Sequence, residues 1–320
     1  RSFRCEQSED CLLIVLVGTS FVVSTIVGGT VTVTSDGRIN SYPTGLAAVE
    51  ILTLGAGGGS IASVDSGGLL RVGPESASAE PGPACYDKGG VLPTVTDAYL
   101  TLGFLSEEHF LGGKMPLNKN AAHDVIGEHV ADPLGLTLEK AALGILSVVN
   151  ERMVNGILEM TVRRGIDPRE LMLVTAGGAT GVAAIDLASE LGISKVIIPR
   201  ETSVLCAFGA LNANLKWSNV VSAPTSARRF DFDSVNTSIQ RLADEGEAFL
   251  ERLKVPNERR RFELFTAARY PLQVTELEVS CPQISVDSKD LAVITDSFHR
   301  LYKGRYSVSE SDYDLEYVML

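Results

Sequence analysis

"VTAGGATGVAAIDLASELGISKVIIP", Val174 to Pro199, is the stretch on which the fold turns. The apolar run Leu171 to Val174 predicts a buried strand, and Gly177-Gly178 with Gly181 predicts a turn. An amphipathic segment follows to Gly192, then a second apolar run from Lys195 to Ile198. Strand, glycine turn, helix, strand is a βαβ unit. Glycines at the mouth of such a helix let backbone N–H groups approach an anion or nucleotide closely. They serve a tight packing turn equally well, so the pattern alone leaves both readings open.

Composition narrows the classes. The chain has 320 residues, 45% of them hydrophobic, enough for a large core and two domains. Its net charge is −12 and no segment is a dense Lys/Arg cluster, which argues against a nucleic-acid or anionic-membrane surface. The five cysteines (Cys5, Cys11, Cys85, Cys206, Cys281) show no CxxC spacing. That fits free thiols in a reducing, cytoplasmic setting better than a disulfide framework or zinc site. "CLLIVLVGTSFVVSTIVGG", Cys11 to Gly29, is apolar but rich in Val, Ile and Thr, interrupted by Gly18 and preceded by the acidic "EQSED". A buried two-stranded hairpin explains it better than a signal peptide or membrane span. The opening at Arg1, without an initiator Met, suggests a piece or one subunit of something larger.

Four regions follow along the chain. Residues 1 to about 72 are β-rich, with a turn expected at Asp36-Gly37. Residues 73 to 93 carry Pro74, Pro81, Pro83 and Pro93 among small residues and predict an ordered loop. Residues 94 to 215 mix helical patterns with the βαβ unit. Their longest amphipathic helix runs from an N-cap at Thr137 to Gly165. Beyond Trp217 come an acidic helix (Ser234 to Leu253), strands within "RFELFTAARYPLQVTELEVSC", and a final helix near Asp290 to Tyr302. The expected division is therefore a large lobe over 1–225 and a small α+β domain over 226–320.

Several residues invite a chemical role, each beside a plainer one. Gly55, Gly57, Gly58 and Gly59 with Ser60 form either an anion nest or a sharp turn between strands. Asp65 is an active-site acid or a turn former before Ser66-Gly67. Cys85, near Tyr86 and Lys88 in the Pro-rich loop, is a nucleophile or metal ligand, or a small buried hydrophobe. His109, His123, His129 and His299 are scattered without an i, i+4 pair, so no metal-ligand set is readable. Asp97 starts a helix, where N-capping is the default and a substrate or interlobe contact the alternative.

"LTLGAGGGSIASVDSGGLLRVGPESASAEPGPACYDKGGVLPTVTDAYLTLGFL" resembles the central signature of the hydantoinase A/5-oxoprolinase family, which includes subunits of acetone and acetophenone carboxylases. "GGATGVAAIDLASELGISKVIIPRETSVLCAFGALNANL" is similar to its second glycine block and "ARYPLQVTELEV" to its C-terminal domain, so the resemblance runs over about residues 12 to 305. It implies an α/β, actin/Hsp70/sugar-kinase-like fold with ATP and Mg²⁺ between two lobes. This sequence would supply one lobe, without the further N-terminal lobe of full-length relatives. Gly177, Gly178 and Gly181 would then be the adenosine-side turn.

The resemblance also marks departures. Where the family reads D-M-G-G-T-S-x-D, this chain has "VLVGTSFV": Val15 and Val22 replace the acids and Val17 a glycine. Gly18, Thr19 and Ser20 remain as phosphate contacts. Aspartate orients Mg²⁺ or its water shell, and valine cannot. Leu52 stands where relatives usually carry histidine. The implied function is a subunit of an ATP-dependent enzyme that phosphorylates a lactam, imide or enolate oxygen of a small molecule for hydrolysis or carboxylation. A second large subunit, and in ketone carboxylases further unlike chains, would complete it. The alternative is a degenerate structural or regulatory subunit without its own ATP turnover. The oxoproline, hydantoin and ketone substrates share one signature, so the substrate is not legible.

Overall fold

The structure is a computed structural model that describes residues 10–34, 38–39, 42–43, 48–308 and 313–319. The expected Asp36-Gly37 turn and Cys5 lie outside the described residues. The chain divides into two compact units, Arg1–Ala213 and Asn214–Leu320.

The first unit is built on a mixed sheet. Its hairpin is β1 (Cys11–Leu16) and β2 (Phe21–Val27), with Val15 opposite Val22. β3 (Thr30–Val31) continues it. Two short ladders follow, β4 (Val33–Thr34) with a later partner and β5 (Arg38–Ile39) with β6 (Tyr42–Pro43). β7 (Ala48–Val49) is that partner, and β8 (Leu52–Leu54) returns to pair with β2. β9 (Ser60–Val64) and β10 (Leu70–Ser76) form a separate hairpin. β11 (Met172–Ala176) lies parallel to β1 on one side and to β12 (Val196–Ile197) on the other.

Period-two alternation decides how this sheet buries. Leu12, Ile14 and Leu16 of β1, with Phe21 and Val23 of β2, are fully buried in the main core. Leu13, Val15 and Val22 point to the other face and are half-buried.

Eight α-helical segments are described: α1 (Val95–Thr101), α2 (Lys119–Ile126), α3 (Asp132–Leu134), α4 (Leu138–Met160), α5 (Thr180–Leu191), α6 (Leu205–Asn212), α7 (Phe232–Arg252) and α8 (Ser288–Tyr306). Thr137 caps α4 as expected, its hydroxyl accepting from Lys140 N–H. Ala142, Ile145, Val149, Met153, Ile157 and Met160 recur at helical spacing on its buried face. The helical stretch Leu138–Arg164 is long and apolar enough to cross a membrane by length and composition alone. It carries the main core's largest set of buried side chains, which accounts for that apolarity. α4 ends before the expected Gly165, through a 3₁₀ turn at Val162–Arg164, and Gly165 closes that turn with a left-handed backbone.

The second unit is a four-stranded antiparallel sheet with two helices. β13 (Ser222–Ser226) lies at one edge, then β16 (Glu316–Met319), β14 (Phe265–Arg269) and β15 (Leu277–Ser280). β13 joins this sheet by its pairing with β16, and the expected boundary near residue 225 falls inside it. Phe298 of α8 and Val235 and Ile239 of α7 share a core with Ala268, Val279 and Tyr317. Asp287 and Asp290 form a capping box that starts α8.

Candidate functional site

The two parallel strands β1 and β11 end at one level, with Val15 beside Ala176. β1 then turns through Val17–Ser20, closed by Val17 N–H donating to Ser20 O at 3.1 Å. β11 turns through Gly177-Gly178-Ala179 into α5. Ligands of open α/β sheets sit beyond the carboxyl ends of parallel strands. The structure therefore brings the Gly18–Ser20 and Gly177–Gly181 blocks to one place.

The glycines there have different reasons to be glycine. Gly177 has φ +92°, and a Cβ on it would run into the carbonyl of Leu16. Its N–H donates to Thr202 O at 2.7 Å. Packing fully explains Gly177. Gly178 is exposed, and a Cβ there would meet nothing within 4 Å. Gly18 likewise faces open space, and Thr19 beside it is exposed, its hydroxyl 3.3 Å from that of Ser20.

Gly57, Gly58 and Gly59 come to the same hairpin from another side. A Cβ on Gly57 would lie 2.6 Å from Val17 O and 2.7 Å from Gly18 O. Gly59 N–H donates to Gly18 O at 2.6 Å and Gly58 N–H to Val17 O at 3.4 Å. Gly57 N–H donates to the Ser60 hydroxyl at 2.9 Å, and Ser60 N–H to Gly57 O at 3.0 Å. The N–H groups of Gly57, Gly58, Gly59 and Ser60 are thus engaged within the chain, and these four residues are buried. Thr96 fastens it to α1, its N–H and its hydroxyl each donating to Gly58 O at 2.8 Å. The glycine run forms a seat for the hairpin.

The three acid and thiol positions lie elsewhere in this geometry. Asp65 closes the β9–β10 turn, accepting from Gly67 and Leu69 N–H at 2.9 and 3.0 Å and from Arg71 Nε at 2.6 Å. The hydrogen bond from Arg71 holds its carboxyl below the usual carboxylate range. Asp97 is 0% exposed and accepts from Cys85 N–H at 2.8 Å, Ala84 N–H at 3.3 Å, Thr94 N–H at 2.9 Å and the Thr94 hydroxyl at 2.7 Å. It also completes a capping box on α1. One carboxylate thereby ties the Pro-rich loop to the helix. Cys85 is fully buried, and burial together with the Asp97 charge pushes its thiol up, which disfavours the nucleophilic thiolate. Among the described residues no group of three or more His, Cys, Asp or Glu could hold a metal ion.

Val15 and Val22 face each other across the β1–β2 ladder where the resemblance expects acids, and neither can ligate a metal. Leu52 packs its side chain toward Gly156 of α4, where a Cβ would lie 3.5 Å from it. A separate open cleft of about 510 Å³ is lined by Leu54, Arg152, Gly156, Glu159 and Arg163 among others. None of its lining residues belongs to the glycine blocks, and Arg152 is committed to Val72 O.

Sequence reasoning missed Thr180 as the hydroxyl that joins two of these blocks. Thr180, 0% exposed, accepts from Leu16 N–H at 2.7 Å and donates to Ala176 O. Thr96 and Ser60 act similarly on the Gly57–Gly59 run. A Thr or Ser within four residues of each glycine block was the available signal.

Residues 2–219 match the sequence profile described as Hydantoinase/oxoprolinase. Caprolactamase subunit alpha of Pseudomonas jessenii is 39% identical over 317 residues, which cover 98% of this chain and 45% of that one. The acetophenone carboxylase gamma subunit of Aromatoleum aromaticum is 41% identical over 196 residues, 60% of this chain and 26% of that one. Among solved structures, ATP-dependent caprolactamase from Pseudomonas jessenii aligns with a TM-score of 0.73 at 38% identity, covering 98% of this chain and 46% of that chain. Nucleotide-free acetone carboxylase aligns with a TM-score of 0.83 at 24% identity over the same shares, a likeness of fold. The chain spans somewhat under half the length of the caprolactamase subunit it matches.

Proposed function

The chain belongs to the hydantoinase/oxoprolinase family, and on that premise we propose that it is part of an ATP-dependent enzyme acting on a lactam, imide or enolate oxygen. The supporting observation is the meeting of the Gly18–Ser20 hairpin and the Gly177–Ala179 turn, with Gly181 in the first turn of α5, at the ends of parallel β1 and β11. In this reading the first unit is an actin/Hsp70/sugar-kinase-like lobe. Gly178 and Gly181 lie against the adenosine, with Gly177 setting the turn. Gly18, Thr19 and Ser20 face the phosphates, and Gly57, Gly58 and Gly59 hold that hairpin from behind. Bound ATP supplies a phosphoryl group that turns a poor leaving oxygen into a good one.

Bare glycine backbone at Gly18 and Gly178 fits a nucleotide. The valines at 15 and 22 do not fit direct Mg²⁺ ligation, so any Mg²⁺ would be held by the phosphates and by groups outside this hairpin. Asp97 and Cys85 serve the architecture of the Pro-rich loop, and Asp65 that of its hairpin turn. A second large subunit and further unlike chains complete the reaction on a small-molecule substrate in the cytoplasm. The same two valines support a second reading: a subunit that keeps the fold and leaves ATP turnover to a partner.

Calorimetric titration of the purified chain with ATP, with and without Mg²⁺, tests the reading. Binding that changes little on Mg²⁺ removal is expected. Absence of binding in both conditions overturns the nucleotide site and leaves the second reading.

A further inference from the structure

Thr180 begins α5, yet its hydroxyl caps nothing in its own helix. It reaches back to Ala176 O, the last carbonyl of β11, and accepts the N–H of Leu16, 164 positions away. The geometry shows why that N–H needs it. The β1–β11 ladder ends at the Val15–Ala176 pair, because the chain leaves the sheet at Gly177. Leu16 is 0% exposed and β2 flanks it only on its other side, so its N–H would otherwise be a buried donor with no β11 residue opposite it. The Thr180 hydroxyl takes the place of the next residue of β11. It receives one hydrogen bond and gives one, using its donor and one acceptor position.

Leu16 is also the residue whose carbonyl abuts Gly177. Its N–H and C=O therefore both lean on the β11–α5 turn, one through Thr180 and the other through the missing side chain of Gly177. Immediately after Leu16 the chain enters the hairpin that carries Gly18, Thr19 and Ser20.

From this juxtaposition we infer that Thr180 is a positioning residue, which sets the spacing between the Gly18–Ser20 hairpin and the Gly178–Gly181 turn. The inference rests on the nucleotide reading above. A nucleotide that touches both blocks at once gains from their being held in register before it arrives, and loses affinity when the register is loose. Serine keeps the hydroxyl. Valine keeps the shape, removes the acceptor and orphans Leu16 N–H.

The test compares ATP affinity of the full chain with that of Thr180→Val and Thr180→Ser, with Thr161→Val as a control. Thr161 is also fully buried and also loses one hydroxyl hydrogen bond, to Ile157 O at 2.7 Å, at the C-terminal end of α4 and outside both glycine blocks. Hydrogen exchange at Leu16 is followed alongside. Thr180→Val should weaken ATP binding about tenfold and speed exchange at Leu16, while Thr180→Ser stays within about twofold and Thr161→Val leaves both unchanged. If Thr180→Val does not fold, Thr180→Ala replaces it in the same comparison. Wild-type affinity in a folded Thr180→Val or Thr180→Ala overturns the inference. Failure of the wild-type chain to bind ATP overturns the nucleotide reading and this inference with it; faster Leu16 exchange in Thr180→Val would then mark a purely structural bond.

Discussion

The carbonyl of Leu16 occupies the space that a Cβ at Gly177 would need, while the next residue, Gly178, looks onto open space. Adjacent glycines thus answer to different constraints. The first is set by the close approach of β1 and the second is free of any protein contact that would forbid a side chain. Sequence alone gives both glycines the same standing.

Gly177→Ala should therefore damage the fold. It places a side chain at φ +92° and against backbone that cannot step aside. A loss of about 3 kcal/mol is expected, read as a lowered urea midpoint with an unchanged slope. Stability equal to wild type would show that the β1–β11 approach is looser than described.

Asp97→Ala should cost at least as much. It removes the acceptor of four hydrogen bonds in a fully buried position and leaves three N–H groups without partners. About 3 kcal/mol or more is expected, with Asp97→Asn milder because one oxygen remains. Thermal unfolding of both variants checks the order. An Ala variant more stable than the Asn variant contradicts the clamp.

The thiols should differ sharply in reactivity. Cys206 is exposed, whereas Cys85 and Cys281 are buried. Burial and the Asp290 charge push the Cys281 thiol up to about 12, and burial with Asp97 pushes Cys85 up as well. The folded state thus favours the neutral thiol. These two groups leave stability unchanged below the ordinary thiol value of 9.0, and stability falls as pH rises above it. Mass-spectrometric alkylation at pH 8 should label Cys206 and spare Cys85 and Cys281 until the chain is unfolded. Fast native labelling of Cys85 would restore it as a nucleophile.

Much of the fold was legible because periodicity carries it. The hairpin, the βαβ unit and the Thr137-capped helix all announce themselves through apolar spacing, and the final helix expected near Asp290 to Tyr302 is α8. β16 was not legible, since "LEYVML" is too short to separate from a loop. The site was legible as glycine blocks and illegible as a set of contacts. Whether Gly57–Gly59 had free donors depended on Val17 and Gly18, some forty positions earlier in the chain. Asp97 was legible as an N-cap, and its bonds to Ala84 and Cys85 required the loop to be folded back over the helix.

The edge around the hairpin should bind protein. Val17, Val27, Val31 and Val33 are 44%, 39%, 38% and 59% exposed, and β3 ends the strand path on that side. A large, mostly apolar contact involving residues 12 to 33 is expected, and the chain alone should self-associate. Val31→Lys should reduce that association in sedimentation velocity while shifting stability by no more than about 0.5 kcal/mol. A monodisperse wild-type monomer would contradict this use of the edge.

The central claim is that nucleotide lies against the glycine turn, and Gly178→Val tests it most directly. Its Cβ meets no protein atom within 4 Å, so the variant should fold with a melting temperature close to wild type. Titrated with ATP beside the wild-type chain, it should show no binding where the wild type binds. Undiminished binding by a folded Gly178→Val chain would place the nucleotide elsewhere and contradict the account.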